Sequence, residues 1–194
     1  MRKLNSVLTL TFLVAVVGFP TLSALPAAAQ SIDVGVNYNY VHTNAPPGRC
    51  GCFSLNGGSA WLGLNLPHSF SLVGEVASQH GHDPRTLGDL TLTSFMTGLR
   101  YSHKRSTHLV PFAEVLLGGA HASGSLAPGS TDIAGSSNAF ALAAGGGLDV
   151  NISEHVALRA IQVDYYLTHF ENGVNNRQNN FRLAVGIVIR FGSR

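Results

Sequence analysis

The last stretch of the chain, F-R-L-A-V-G-I-V-I-R-F at 181–191, constrains the fold more than any other. Phe181, Leu183, Val185, Ile187, Ile189 and Phe191 share one parity, and Arg182, Ala184, Gly186, Val188 and Arg190 share the other. Successive side chains of a strand leave on opposite faces, so one face is an unbroken apolar stripe and the other is small or cationic. Arginines are not buried in an oily core without partners. A tilted strand of about 9–11 residues crosses a bilayer. The stretch therefore predicts a membrane-crossing strand with lipid outside and a crowded polar lumen inside, with an aromatic at each end where a girdle belongs.

The other end of the chain reads differently. Arg2 and Lys3 precede an apolar run at 7–17, and Ala27-Ala28-Ala29 offers an A-x-A cleavage site. This is the pattern of a secretory signal peptide over 1–29, which leaves 30–194 as a single mature domain. The segment holds two of the twelve basic residues and none of the ten acidic ones, so the mature chain is formally neutral. Neutrality argues against a nucleic-acid partner. Beyond the signal no apolar run reaches 18 residues. Glycine is abundant, at 22 of 194 residues, and amphipathic helical periodicity is missing, so the chain reads as all-β.

Alternation predicts seven further strands, at 32–41, 58–66, 71–79, 90–101, 109–122, 138–150 and 156–168. Two show a parity slip. Leu90 and Leu92 do not share the face of Phe95, Leu99 and Tyr101, which predicts a bulge or change of tilt near Thr93. Arg159 and the pair Gln162 and Asp164 also differ in parity, which predicts a bulge at Ala160-Ile161. The connections run long, short, long, short, long, short, long: polar loops at 42–56, 80–89, 123–137 and 169–178 alternate with turns at 67–70, 102–108 and 151–155. Outer membrane barrels pair short periplasmic turns with long outside loops, and an even strand count lets the first and last strands close the sheet. The predicted fold is an eight-stranded antiparallel up-and-down transmembrane β-barrel.

An eight-stranded barrel has an interior just wide enough for side chains to fill. The inward parity carries Gly, Ala, Asn and Ser with Glu75, Arg100, Asp149, Arg159, Asp164, Arg182 and Arg190. Glu114 joins them if the face of Phe112 and Leu116 points inward. Buried charges need partners, so acid–arginine bridges across the lumen are expected, Arg159 facing an acid such as Glu75. Such a lumen is a plug that leaves a structural or surface role; a narrow channel for small solutes or ions is the alternative.

The sequence resembles the transmembrane domain of the outer membrane protein A type, within the small-barrel porin family of Gram-negative bacteria. The likeness lies in G-V-N-Y-N-Y at 35–40, G-G-G-L-D-V at 145–150, H-V-A-L-R at 155–159 and the closing I-R-F-G. The resemblance implies an integral outer membrane protein in contact with lipid and lipopolysaccharide, inserted by the barrel assembly machinery through its last strand. Phe191 would be the terminal aromatic of that insertion signal.

The remaining candidate chemistry lies in the loops. Cys50-Gly51-Cys52 falls in the first long loop, and export to an oxidising compartment makes it a disulfide candidate. A ring so tight is strained, which leaves a bond to another chain, a metal or a free thiol open. His80, His82 and Asp83, with His42, His121, His169 or Glu171, have ligand chemistry suited to zinc or copper. No spacing forces them together, so no metal or other cofactor is expected. His121 and Ser123, with Asp132 or Glu171, could form a lipid-modifying triad, but Gly124 stands where the lipase pattern of such barrels has Asn; no enzyme is expected. A soluble lipocalin-like barrel inverts the faces, against a near absence of lysine that a water-facing exterior contradicts. A surface ligand would bind through the outer loops.

Overall fold

A computed structural model describes residues 31–43, 53–83, 88–103, 108–127, 135–171 and 176–192. Their alternation is realised as eight strands: β1 Ile32–His42, β2 Ser54–Asn65, β3 Phe70–Asp83, β4 Gly88–Ser102, β5 Leu109–Gly124, β6 Gly135–Asn151, β7 Val156–Thr168 and β8 Gln178–Phe191. Each pairs antiparallel with its sequence neighbour, and β1 pairs with β8 from Ile32↔Phe191 to His42↔Phe181, closing the barrel. Closure leaves every strand backbone with a partner on both sides, the condition for a sheet in hydrocarbon. The expected signal peptide, Cys50, Cys52 and Asp132 lie outside the described residues.

Which face meets lipid follows from exposure. Val36, Phe95 and Ile187 are 62, 60 and 55% exposed, and Leu62, Val76, Leu99, Val115 and Phe140 lie with them on the outside. The arginines of the strands point inward, as do Glu75, Glu114, Asp149 and Asp164, whereas Asp89 near the outer end of β4 faces out. That arrangement is the reverse of a lipocalin and stable only with lipid around it. Phe70 and Tyr101 pack with their rings tilted, centroids 5.4 Å apart, at the end carrying the short connections, with Phe191 at the same end. Tyr38, Tyr165 and Phe181 mark the opposite rim.

Two expectations about β4 and the loops need correction. There is no bulge near Thr93: β4 runs in unbroken register against both β3 and β5. Leu90 and Leu92 have the parity of the lumen because they point into it, 8 and 3% exposed. The predicted loops are also too long at their bases. Residues 80–83 pair with 88–91, β2 begins at Ser54, β5 reaches Gly124, β6 starts at Gly135 and β8 starts at Gln178. These segments are rich in Ser, Thr, Asn and His, which reads as loop in sequence. In the fold they are strand ends whose outward side chains are polar. The bulge at Ala160-Ile161 is present: register shifts between Arg159 and Gln162 against β8, and opposite Leu148/Asp149 on β6. It turns both Arg159 and Gln162 inward, each fully buried.

Candidate functional site

The lumen holds the densest chemistry among the described residues. Glu75, Arg100, Glu114, Asp149, Arg159, Asp164, Arg182 and Arg190 all point inward, none more than 6% exposed. Phe112 and Leu116 are buried too, which fixes the orientation of Glu114. Three bridges are hairpin neighbours. Arg100 and Glu114 face each other across β4 and β5, with Nε donating to Oε2 at 2.7 Å. Asp149 and Arg159 face across β6 and β7, with Nε donating to Oδ1 at 2.9 Å and Nη2 to Oδ2 at 3.3 Å. Asp164 and Arg182 face across β7 and β8, with Nε donating to Oδ2 at 2.8 Å. The fourth bridge crosses the barrel: Arg182 Nη1 donates to Oε1 of Glu75 on β3 at 2.5 Å. Arg159 thus pairs with Asp149, not with Glu75 as the sequence suggested. Arg190 Nη1 donates to Asn151 Oδ1 near the short-turn end and stands opposite Asp33 on β1.

Gln162 joins these pairs into one network. Its amide nitrogen donates to Glu114 Oε1 and Asp164 Oδ2, both at 2.8 Å, and its carbonyl accepts Arg159 Nη1 at 2.8 Å. A neutral side chain with both donor and acceptor capacity can bridge two acids and a guanidinium without adding charge. Hydrogen bonds run without a break from Arg100 through Glu114, Gln162, Asp164 and Arg182 to Glu75, with a branch through Arg159 to Asp149. Six strands, β3 to β8, contribute to it.

The other walls contribute rings. Arg100 lies 4.0 Å from the Trp61 ring centroid and 4.9 Å from that of Phe112; Arg159 lies 4.6 and 4.3 Å from the same rings. Two like charges are thereby held between aromatic faces while the acids neutralise them. Trp61 and Phe112 were not anticipated as partners of the arginines, although the parity of Trp61 with Gly63 and Asn65 already turned it inward. Glycine makes the space: a Cβ at Gly35 would overlap the Trp61 indole, and one at Gly147 would crowd the Phe112 ring.

Toward the long connections the lumen changes character. Val41, Leu55, Leu90, Leu92, Ala122, Ala127 and Phe170 are buried there, with Phe53 and Leu126 packed against the cluster. Along the lumen, charged side chains thus give way to apolar ones.

The loop candidates do not converge. His80, His82 and His121 face outward, and His121 Nδ1 is bonded to Asn138 Oδ1 at 2.8 Å instead of to a carboxylate. Ser123 lies two residues along the same strand. Among the described residues no three His, Cys, Asp or Glu side chains are grouped to hold a metal.

Comparison with known proteins agrees with this architecture. Neisserial surface protein A superposes with a TM-score of 0.68 at 14% identity, covering 82% of this chain and 97% of that one. Ail, the attachment invasion locus protein of Yersinia pestis, superposes at 0.56 with 15% identity, covering 84% of this chain and 99% of its own. At such identities the likeness is one of fold. A search of curated proteins by sequence finds no match. The family model for the outer membrane protein beta-barrel domain matches residues 12–191. A closed eight-stranded barrel with a lipid-facing exterior and that match together establish that the chain belongs to the outer membrane β-barrel family and resides in the outer membrane.

Proposed function

We propose that this protein is a non-conducting barrel, a rigid membrane anchor whose lumen is plugged by its ion pairs and whose biological contacts are made by the outer loops. The observation that carries the reading is the unbroken network from Arg100 to Glu75 which, with its branch through Arg159 to Asp149, ties six strands together through buried side chains. Charges paired this tightly give a hydrated ion no unpaired site to occupy, and the apolar mouth above them repels water. No reaction is assigned to the chain. One structural neighbour, Ail, was solved with the heparin analogue sucrose octasulfate, which supports looking for a ligand at the loops. In this reading Phe191, exposed at the end of β8, is the terminal aromatic of the insertion signal.

A narrow channel is the second reading, favoured by one observation. Asn39 and Gln79 are buried in the lumen with side-chain atoms that have no protein partner, as groups lining a water path would be. Solute flux from proteoliposomes separates the two. The plug predicts that vesicles holding the wild-type protein retain small sugars and ions as well as empty vesicles do. Release that scales with protein content supports the channel instead.

A further inference from the structure

Above the apolar band the outward face becomes a continuous polar collar, and it is built from paired side chains. Tyr38 Oη donates to Asn56 at 2.7 Å, and Tyr40 and Ser54 hydroxyls meet at 2.7 Å on the first outer hairpin. On the second, His80 Nδ1 meets Thr91 Oγ1 at 3.0 Å and His82 Nδ1 meets Asp89 Oδ1 at 2.9 Å. On the third, His121 Nδ1 meets Asn138 Oδ1 at 2.8 Å. Register makes these pairs contiguous: Tyr40↔Asn56, Asn56↔His80 and His80↔Thr91 form one row, and Ser78↔Thr93, Thr93↔His121 and His121↔Asn138 form the next.

Three features point to a partner. The collar continues the lipid-facing wall directly, just beyond the aromatic rim, at the level where headgroup phosphates of the outer leaflet lie. Each of the three imidazoles is engaged through Nδ1. A carboxylate or amide oxygen at that atom fixes the proton there for His82 and His121 and leaves Nε2 for the surroundings. The outward positions of these strand ends carry no Lys or Arg, so histidine supplies their positive charge.

We propose that His80, His82 and His121 form an acid-dependent contact for the phosphate groups of the outer-leaflet lipid. With the three rings neutral, the negative charge of the patch is that of Asp89. Protonation of the three rings turns it to two net positive charges and gives each ring a second N–H donor. Among the described residues Asp89 is the one carboxylate facing His80 and His82, at 3.9 and 2.9 Å; their other neighbours, Asn56 and Thr91, do not titrate. His121 faces Thr93 and Asn138, which are also neutral.

The test uses protein purified from outer membranes and reconstituted in phosphatidylcholine nanodiscs, with or without added lipid A. A ligand of the folded state raises the thermal midpoint, so the quantity read is the rise in Tm caused by lipid A at about pH 5.5 and at about pH 7.5. The proposal predicts a larger rise at the acid pH, and a smaller difference between the two pH values in the triple variant His80→Gln, His82→Gln, His121→Gln. Lipid A phosphates titrate in the same range, and the triple variant shows what they contribute alone. An equal rise at both pH values in the wild type overturns the proposal, as does a difference between the two pH values that is as large in the triple variant as in the wild type. If the triple variant does not fold, His80→Gln and His121→Gln are read singly: each is expected to lose part of the acid-dependent increment, and no loss in either overturns the assignment.

Discussion

The two halves of the lumen are filled by opposite chemistry. Toward the short turns, guanidinium, carboxylate and amide groups interlock with Trp61 and Phe112. Toward the outer loops, Leu55, Leu90, Leu92 and Phe170 fill the same cross-section with hydrocarbon. The two fillings fail differently. An apolar cluster that loses a methyl group keeps its remaining contacts and leaves a cavity. A charge network that loses one member leaves its neighbours charged, buried and unpaired. The charged half should therefore be the more brittle one.

The largest expected effect comes from Arg182→Ala, which strands both Glu75 and Asp164, whose side chains are buried. Removing one partner of a buried pair costs about 3–5 kcal/mol, so a clear fall in the midpoint of heat-induced mobility shift on SDS gels is expected. Arg159→Ala should act in the same direction through Asp149, and Arg159→Met with Asp149→Leu should recover most of the loss, since an apolar pair of similar volume needs no compensating charge. If the double variant is as weak as the single one, the cost lies in packing against Trp61 and Phe112 and not in the stranded charge.

Leu55→Ala in the apolar half should cost about 2–4 kcal/mol by chemical denaturation in detergent, with no companion substitution able to reverse it other than one that refills the space. Gly35→Ala pushes a methyl group at the Trp61 indole and should cost about 1–3 kcal/mol; Gly35→Ala with Trp61→Phe should be milder than Gly35→Ala alone. The smallest effect is expected outside the lumen. Tyr165→Phe removes an exposed hydrogen bond to Asn179 on the outer rim and should shift stability by about 0.5–1.5 kcal/mol at most.

Much of this was legible in the sequence, for a physical reason. A barrel wall has one side in lipid and one in a polar lumen, so a period of two labels every inward residue, and a parity slip at Ala160-Ile161 can only be absorbed by a bulge. The slip at Leu90 and Leu92 looked the same but had another cause. The lumen itself turns apolar at that level, and alternation cannot tell a flipped strand from a changed filling. The identity of the charge partners was partly readable. Folding the chain about its short turns puts Arg100 opposite Glu114 and Asp149 opposite Arg159, a signal that the pairing of Arg159 with Glu75 overlooked. The Arg182–Glu75 bridge was not readable, because it spans the barrel from β8 to β3 and depends on the stagger and width of the closed sheet. Gln162 gave its inward parity but not its role, since joining two acids and a guanidinium requires all three to converge on it.

Single-channel recording of the wild-type protein in a planar bilayer tests the plug most directly. The account predicts a folded, inserted barrel that passes no discrete current, before and after the salt concentration is raised. Stable unitary steps whose size changes when Arg159 or Glu75 is neutralised would contradict it and make the lumen charges the lining of a pore.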